Sequence, residues 1–204
     1  AHSFPTRRSS DLKSIADFDK KYQFHTKEVI LVKTERYGYY NLVQKDGTNV
    51  ILDIGLSEVF SHGSNTKEFK KRCLFYKAEV PKAFVGNWKK FDEDDDAEGK
   101  ATISENGVIS TDSDDTDILI AKPLREYLVN KSGKVDNDKV QKEFDKIQKS
   151  LKSHGYQAKS VNDIYHDERS SYYFAVVDGG KRIVILEDSY GDLYSGYIER
   201  QDKD

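Results

Sequence analysis

Two acidic segments of the chain have the composition of a calcium site. They are residues 91–99 (FDEDDDAEG) and residues 112–117 (DSDDTD), and the second follows a predicted hairpin. Calcium takes about six to eight oxygen ligands, which carboxylates supply, but the first segment lacks the residue order of an EF-hand loop. The candidate ligands are Asp94, Asp96, Asp112 and Asp114. The alternative is that both segments are solvated loops between strands.

A second possible chemistry is acid–base catalysis or metal binding by His166 and Glu168. In an extended strand these two side chains share one face, so they are able to act as a pair. A hydrolase would also need a nucleophile or a third ligand, and the sequence identifies none. Ser61 and His62 are adjacent in a loop, where neighbours seldom meet as nucleophile and base.

Motifs of the common enzyme classes are absent from the sequence. It has no nucleophile elbow, phosphate-binding loop, dinucleotide fingerprint, zinc-protease helix or paired C-x-x-C. We therefore predict a non-catalytic protein without a cofactor. A secreted hydrolase that uses His166 and Glu168 is the alternative.

Tyrosine is abundant, with 13 residues in the chain. A tyrosine ring offers contact area and its hydroxyl offers hydrogen bonds, a combination that suits glycans, peptides and apolar ligands. The candidate ligand-binding tyrosines are Tyr172, Tyr190, Tyr194 and Tyr197. The alternative is that these rings pack against neighbouring strands.

Composition narrows the class of protein. The chain has 33 Lys and Arg against 36 Asp and Glu, a net charge of -3, so a nucleic-acid partner is not expected. Its single cysteine, Cys73, excludes a disulfide within the chain but leaves the compartment open. No apolar run reaches the length of a membrane span.

Two segments share the pattern Glu-Arg-x-x-Tyr-Tyr, starting at Glu35 and at Glu168. One constant offset also places Gly47 on Gly180 and Val50 on Ile183. Each segment follows a predicted amphipathic helix and leads into a predicted closing strand. We therefore predict two related modules, residues 13–80 and residues 84–204, of which the first has lost its opening strands.

Local signals predict the elements of these modules. Asp-Gly at 46–47, Asn-Gly at 106–107 and Asp-Gly-Gly at 178–180 lie between β-branched or aromatic runs, which is typical of hairpins. Apolar residues at 15, 18 and 22 and at 140, 144, 147 and 151 have helical spacing. The second helix is expected to begin at Asn137 or Asp138 and to end before Gly155. The fold class is α+β and strand-dominated, with antiparallel β-meander or barrel-like modules that each carry one amphipathic helix.

Residues 2–12 (HSFPTRRSSDL) resemble one translated reading frame of a sequencing adapter. The segment has no apolar core of a signal peptide and no helical or strand periodicity. We therefore predict that residues 1–12 are a disordered artefact without function.

Gly86-Asn87-Trp88 and Arg200 carry a family resemblance. A Gly-x-Trp opening and a late-strand arginine are similar to those of lipocalin-like β-barrels, and the module resembles those of extracytoplasmic lipoproteins from Gram-positive bacteria. The resemblance implies that Trp88 closes one end of a barrel and that Arg200 packs across it. The helix at 137–154 departs from the lipocalin pattern, which has strands there.

The resemblance also implies a location and a class of partner. We expect a non-catalytic binding protein outside the cytoplasm, secreted or at the cell surface, which contacts the membrane only through an N-terminal anchor that this sequence lacks. Its partner would be a small apolar ligand, a glycan or a cell-surface protein. The alternative is a structural or protein-interaction module that uses exposed edge strands.

Overall fold

The structure, a computed structural model, divides the chain into two compact units, Ala1–Ala78 and Glu79–Asp204. It describes residues 9–33, 38–46, 48–52, 74–77, 80–105, 107–112, 116–119, 121–167 and 171–201. Strands outnumber helices in the described residues, so the predicted strand-dominated α+β class is confirmed.

Unit 1 is a helix followed by an antiparallel sheet. Its elements are α1 (Ser9–Tyr22), β1 (Thr26–Lys33), β2 (Gly38–Gln44), β3 (Thr48–Leu52) and β4 (Leu74–Lys77). The strands pair in chain order, β1-β2-β3-β4. Asp46 of the predicted Asp-Gly pair lies in the turn between β2 and β3, and Gly47 lies outside the described residues.

Helix α1 covers one face of the unit 1 sheet. Ile15, Phe18 and Tyr22 are buried and pack with Leu42 and Val50, as their spacing predicts. The helix begins at Ser9, so residues 9–12 are helical and the prediction of disorder for residues 1–12 is corrected there. Residues 1–8 lie outside the described residues.

Unit 2 begins with a 3₁₀ turn, Lys82–Phe84. Four strands follow: β5 (Gly86–Phe91), β6 (Ala97–Ile103), β7 (Val108–Thr111) and β8 (Thr116–Ile118). Then come β9 (Ala121–Pro123), α2 (Leu124–Tyr127) and α3 (Asn137–Ser153). The chain ends with β10 (Ile164–Asp167), β11 (Tyr172–Val177), β12 (Arg182–Glu187) and β13 (Tyr194–Arg200).

The unit 2 sheet is a curled antiparallel meander. Its order is β8-β7-β6-β5-β13-β12-β11-β10-β9, so that the first strand, β5, pairs with the last, β13. The two edge strands, β8 and β9, follow each other in the chain, and only two residues separate Ile118 from Ala121. Three peptide links span at most about 11 Å between Cα atoms. The sheet must therefore curl until its edges approach each other, which gives the predicted barrel-like form.

The two faces of this sheet carry separate apolar clusters. Strand β11 alternates, so that Ala175 faces helix α3 whereas Phe174 faces the other way. The second cluster contains Trp88 and Ile183 together with residues from both edges of the sheet, namely Leu119, directly after β8, and Ala121 on β9. Because residues from both edges contribute to it, this cluster fills the interior of the curl.

Helix α3 packs on the outer face, where Ile147 and Leu151 are fully buried. Its N-cap is Asp136, whose Oδ1 accepts the amide N–H of Lys139 at 3.1 Å. The cap thus lies one residue before the predicted Asn137, because only Asp136 has the extended backbone of a cap.

Trp88 and Arg200 are opposite each other on β5 and β13. The Arg200 guanidinium lies 4.3 Å from the centre of the Trp88 ring and donates to the carbonyl oxygens of Ala83 and Val85 at 2.6 and 2.8 Å. Trp88 is fully buried, and its Nε1 donates to the carbonyl of Phe84 at 2.8 Å. The two residues thus pack as the resemblance implies, whereas the resemblance itself stays a prediction.

The Glu-Arg-x-x-Tyr-Tyr segments lead into β2 and β11. In each unit, four strands follow one amphipathic helix and pair in chain order. β2 and β11 are the second strands of these two sets. The ladders pair Leu42 with Val50 and Ala175 with Val184. Val50 therefore corresponds to Val184 and not to Ile183, because the turn at 178–180 adds one residue. A common origin of the two segments stays a prediction.

Gly86→Ala tests the closure of β5 onto β13. Gly86 has φ +138°, and a Cβ there would come within 2.5 Å of Arg200 Nη1, which its carbonyl partners hold in place. We expect the free energy of unfolding to fall by about 2 kcal/mol or more. Gly133→Ala is the control, since Gly133 also has positive φ, +79°, but open space around it. Its expected loss is about 1 kcal/mol. Urea unfolding, followed by the fluorescence of Trp88, measures the stability lost in each variant. Equal losses in the two variants would contradict the close approach of position 86 to Arg200.

Candidate ligand-binding groove

Unit 2 has an open groove between helix α3 and the β12–β13 loop, residues 188–193. Its volume is about 520 Å³. The helix contributes Lys146, Lys149, Ser150 and Ser153, and the loop contributes Ser189, Tyr190, Gly191, Asp192 and Leu193. These residues bring hydroxyl, ammonium, phenol and carboxylate groups to the groove, together with the apolar side chain of Leu193.

The helical repeat places the groove residues on one side of α3. Positions 146, 149, 150 and 153 follow the spacing i, i+3, i+4, i+7, which is a single helix face. Ile147 and Leu151 pack on the sheet, so the polar face is held beside the β12–β13 loop. Packing of the apolar side therefore positions the groove.

Asp192 fixes the loop to the helix. Its Oδ1 accepts the hydroxyl of Ser150 at 2.6 Å, and its Oδ2 lies 2.5 Å from His154 Nε2. These two bonds hold the pKa of Asp192 below its ordinary value of 3.8, and the bond from Ser150 has the larger effect, followed by that of His154. Lys146 Nζ donates to Asp188 Oδ1 at 2.5 Å at the other end of the loop.

Ser150, His154 and Asp192 do not form a catalytic triad. In a triad the histidine lies between the serine and the carboxylate and accepts the serine proton. Here the carboxylate of Asp192 lies between the other two residues, and the hydroxyl of Ser150 donates to it. The arrangement leaves Ser150 without activation by His154, and its effect is to position the loop.

The four candidate tyrosines occupy different environments. Tyr190 is fully exposed at the groove, whereas Tyr194 and Tyr197 are 8% and 9% exposed and belong to the core beneath α3. Tyr172 begins β11, is 37% exposed and does not line the groove. Of the four candidate tyrosines, Tyr190 lines the groove and the other three do not.

Tyr194 and Tyr197 share one face because of a bulge. They are three residues apart, so regular alternation would place them on opposite faces of the sheet. The register shifts between Ile185 and Leu186, which adds a residue to β13. Tyr194 then stacks on His154 with 3.9 Å between ring centres, and Tyr197 stacks on Phe91 at 4.8 Å. Burial raises the pKa of both tyrosines.

The acidic candidates do not gather into a metal site in the described part of the chain. There, no three Asp, Glu, His or Cys side chains are placed to hold one ion. Asp94 and Asp96 lie in the β5–β6 turn, where their amide N–H groups both donate to Asp92 Oδ1 at 2.9 Å. Asp112 accepts the amide N–H of Lys100 at 3.3 Å. Asp114 lies outside the described residues.

His166 is buried, with 4% of its surface exposed. Its ring stacks on Tyr127, with 3.7 Å between centres, and meets the edge of Tyr173 at 5.0 Å. The hydroxyl of Tyr173 donates to Glu143 at 3.0 Å. Burial raises the pKa of Tyr173, and the charge of Glu143 raises it further. The partner predicted for catalysis, Glu168, lies outside the described residues, as do Ser61 and His62. His166 thus packs against Tyr127 of α2 and Tyr173 of β11.

No family model, curated protein or solved structure matches this chain. Within the described residues, none of the helices combines the length and the apolarity of a membrane-spanning segment. The geometry of the groove is therefore the main evidence on function.

The sequence did not indicate that Ser150 and Asp192 line the groove and bond to each other. The available signal was the stripe of polar residues at 146, 149, 150 and 153 beside the apolar stripe of the same helix. The partner of Ser150 is 42 residues away in the chain, and no local pattern indicates such a pair.

Asp192→Asn tests whether the ionised carboxylate holds the loop. A carboxyl whose pKa is lowered by folding stabilises the fold above its unfolded pKa, and this contribution is lost as the pH falls through the folded value. We expect the variant to melt at a lower temperature than the parent above about pH 5, and the difference to shrink toward pH 2.

Asp95→Asn is the matched control, since Asp95 is an exposed aspartate of the β5–β6 turn. Melting temperatures measured by circular dichroism from pH 2 to pH 7 provide the comparison. A difference for Asp192→Asn that does not change with pH would show that its ionisation does not hold the loop.

Proposed function

We propose that this protein is a non-catalytic binding protein whose ligand is a glycan held in the groove between α3 and the β12–β13 loop. The observation that carries the proposal is the fully exposed ring of Tyr190 beside hydroxyl and ammonium groups of the helix. A sugar presents an apolar face to an aromatic ring and hydroxyls to polar groups, and both kinds of partner are present here.

The size of the groove supports a small ligand. Its volume of about 520 Å³ lies within the usual range of ligand sites. The ends of the loop are held at Asp188 and Asp192, so Tyr190 projects from a segment with fixed ends. A loop whose ends are already held loses less conformational entropy when a ligand binds.

The interior of the curl offers little support for an apolar ligand. Phe84, Trp88 and Ile183 are at most 1% exposed and pack together there. An apolar ligand would have to displace these contacts, whereas the groove is open to solvent. This difference favours a glycan over the small apolar ligand.

We further propose that the protein works outside the cytoplasm of a Gram-positive bacterium, secreted or bound to the cell surface as a lipoprotein. Support comes from the resemblance of Gly86, Trp88 and Arg200 to lipocalin-like modules. The complete gene tests this, because a lipoprotein would encode a signal peptide and a lipidated cysteine upstream. A gene without an export signal would contradict this part of the proposal.

The protein-interaction alternative has one specific observation in its favour. Tyr127, Val129 and Val135 are 41%, 44% and 40% exposed, and the two valines pair in an isolated bridge. If this surface joins two copies of the chain, the sedimentation coefficient should rise with protein concentration, and Val129→Lys should abolish the rise. Sedimentation that does not depend on concentration would contradict self-association.

Tyr190→Ala tests the glycan groove. The probes are tetrasaccharides of glucose, of N-acetylglucosamine and of glucuronic acid, each titrated into the full chain while the amide signals of residues 188–193 are followed by NMR. We expect at least one probe to shift these signals and Tyr190→Ala to weaken its binding about 10-fold or more, because the ring contact is lost.

The matched control is Tyr172→Ala, which removes an exposed tyrosine that does not line the groove. Its binding should equal that of the parent chain. Unchanged signals with all three probes, or equal weakening by both variants, would refute the glycan site.

A further inference from the structure

Unit 1 has a pocket of its own, between the end of α1 and the turn that joins β2 to β3. Its volume is about 380 Å³, within the usual range of small-ligand sites. The residues that line it, which define what we call the unit 1 pocket, are Gln23, Phe24, His25, Gln44, Lys45, Asp46 and Val50. The side chains at positions 23, 25, 45 and 46 are exposed, so the rim of the pocket is open to solvent.

The way in which α1 ends forms one apolar side of the pocket. The helix ends at Tyr22, and Gln23 takes the left-handed backbone, with φ +58°. The amide N–H of Phe24 then donates to the carbonyl of Asp19 at 3.0 Å, which is the hydrogen bond of a Schellman cap. This cap turns Phe24 onto Phe18, with 5.3 Å between the centres of the stacked rings. Phe24 is half-buried, so part of its ring is left for the pocket.

Val50 and Gln44 form the buried part of the lining. Val50 is 1% exposed and belongs to the apolar cluster beneath α1. The amide of Gln44 already has partners, because its Oε1 accepts the amide N–H of His25 at 2.8 Å and its Nε2 donates to Thr26 Oγ1 at 3.2 Å. The inner lining is therefore apolar or already hydrogen-bonded, which favours an apolar ligand body.

The rim places an ammonium group beside an imidazole. Lys45 donates its amide N–H to the carbonyl of His25 at 2.9 Å, so the two residues are neighbours across the strands. In the described part of the chain, neither of these two side chains makes a hydrogen bond or an ion pair. Asp46, the other ionisable residue of the rim, already interacts within the chain. The donors of Lys45 and His25 are thus free to bind an anionic group.

We propose that the unit 1 pocket is a second binding site, independent of the groove in unit 2, for a small organic monocarboxylate with an apolar body. The body packs on Phe24 and Val50, and the carboxylate accepts hydrogen bonds from Lys45 and His25. One ammonium group matches the single charge of a carboxylate. A phosphate monoester carries about two charges at neutral pH and matches less well, because Asp46 repels the additional charge.

Three probes separate the charge of the ligand from its apolar body: 3-phenylpropionate, its neutral amide 3-phenylpropanamide, and acetate. Each is titrated into the full chain at low ionic strength while the NMR amide signals of residues 23–25 and 44–46 are followed. We expect 3-phenylpropionate to bind about 3-fold or more tightly than 3-phenylpropanamide, because an exposed ion pair contributes about this much. Acetate should bind about 10-fold or more weakly than 3-phenylpropionate, because it lacks the body that contacts Phe24 and Val50.

Lys45→Gln should abolish the preference for the acid over the amide and leave the affinity for the amide unchanged, because it removes only the charge. Lys20→Gln is the matched control, since Lys20 is exposed on the side of α1 opposite to Phe18 and does not line the pocket. This variant should keep the preference. Signals that 3-phenylpropionate leaves unchanged, equal affinity for acid and amide, equal affinity for 3-phenylpropionate and acetate, or equal loss of the preference in both variants would overturn the proposal.

Discussion

The stacking of Arg200 on Trp88 is the interaction on which the architecture of unit 2 depends. A guanidinium is attracted to the face of an indole ring, and its planar donors are able to serve several carbonyl groups at once. Here they bond to Ala83 and Val85, before β5, and to Gly180, before β12. One side chain thus joins the start of the first strand to the end of the last one. Gly86 is required beneath it because a side chain there would displace the guanidinium.

This closure determines which surfaces of unit 2 stay accessible. With β5 joined to β13, both halves of the sheet turn their apolar side chains toward Trp88, and the interior is occupied by the protein itself. Helix α3 then covers the outer face of β10–β13, and its polar side faces the β12–β13 loop. The accessible polar surface with an exposed aromatic ring therefore lies outside the curl.

Much of the fold was predictable because its signals are local. Glycine-containing turns indicated the hairpins, and the spacing of residues 15, 18 and 22 and of residues 140, 147 and 151 indicated the buried helix faces. The predicted match of Val50 with Ile183 was wrong because the turn at 178–180 adds one residue. The bulge in β13, which brings Tyr194 and Tyr197 to one face, was not predicted. The bonds of Asp192 to helix α3, which define the groove, have no counterpart in a local pattern.

The two buried amides of β2 show the same limit at the level of single residues. Asn41 and Gln44 are three residues apart in one strand, and both residue types are usually exposed. The sequence does not distinguish them, since the partners of Gln44 come from His25 and Thr26, 19 and 18 residues earlier. With its partners in place, Gln44 fixes the start of β1 against the end of β2. Asn41 lacks such partners in the described structure, whereas Phe174, at the corresponding ladder position of unit 2, packs in the interior cluster.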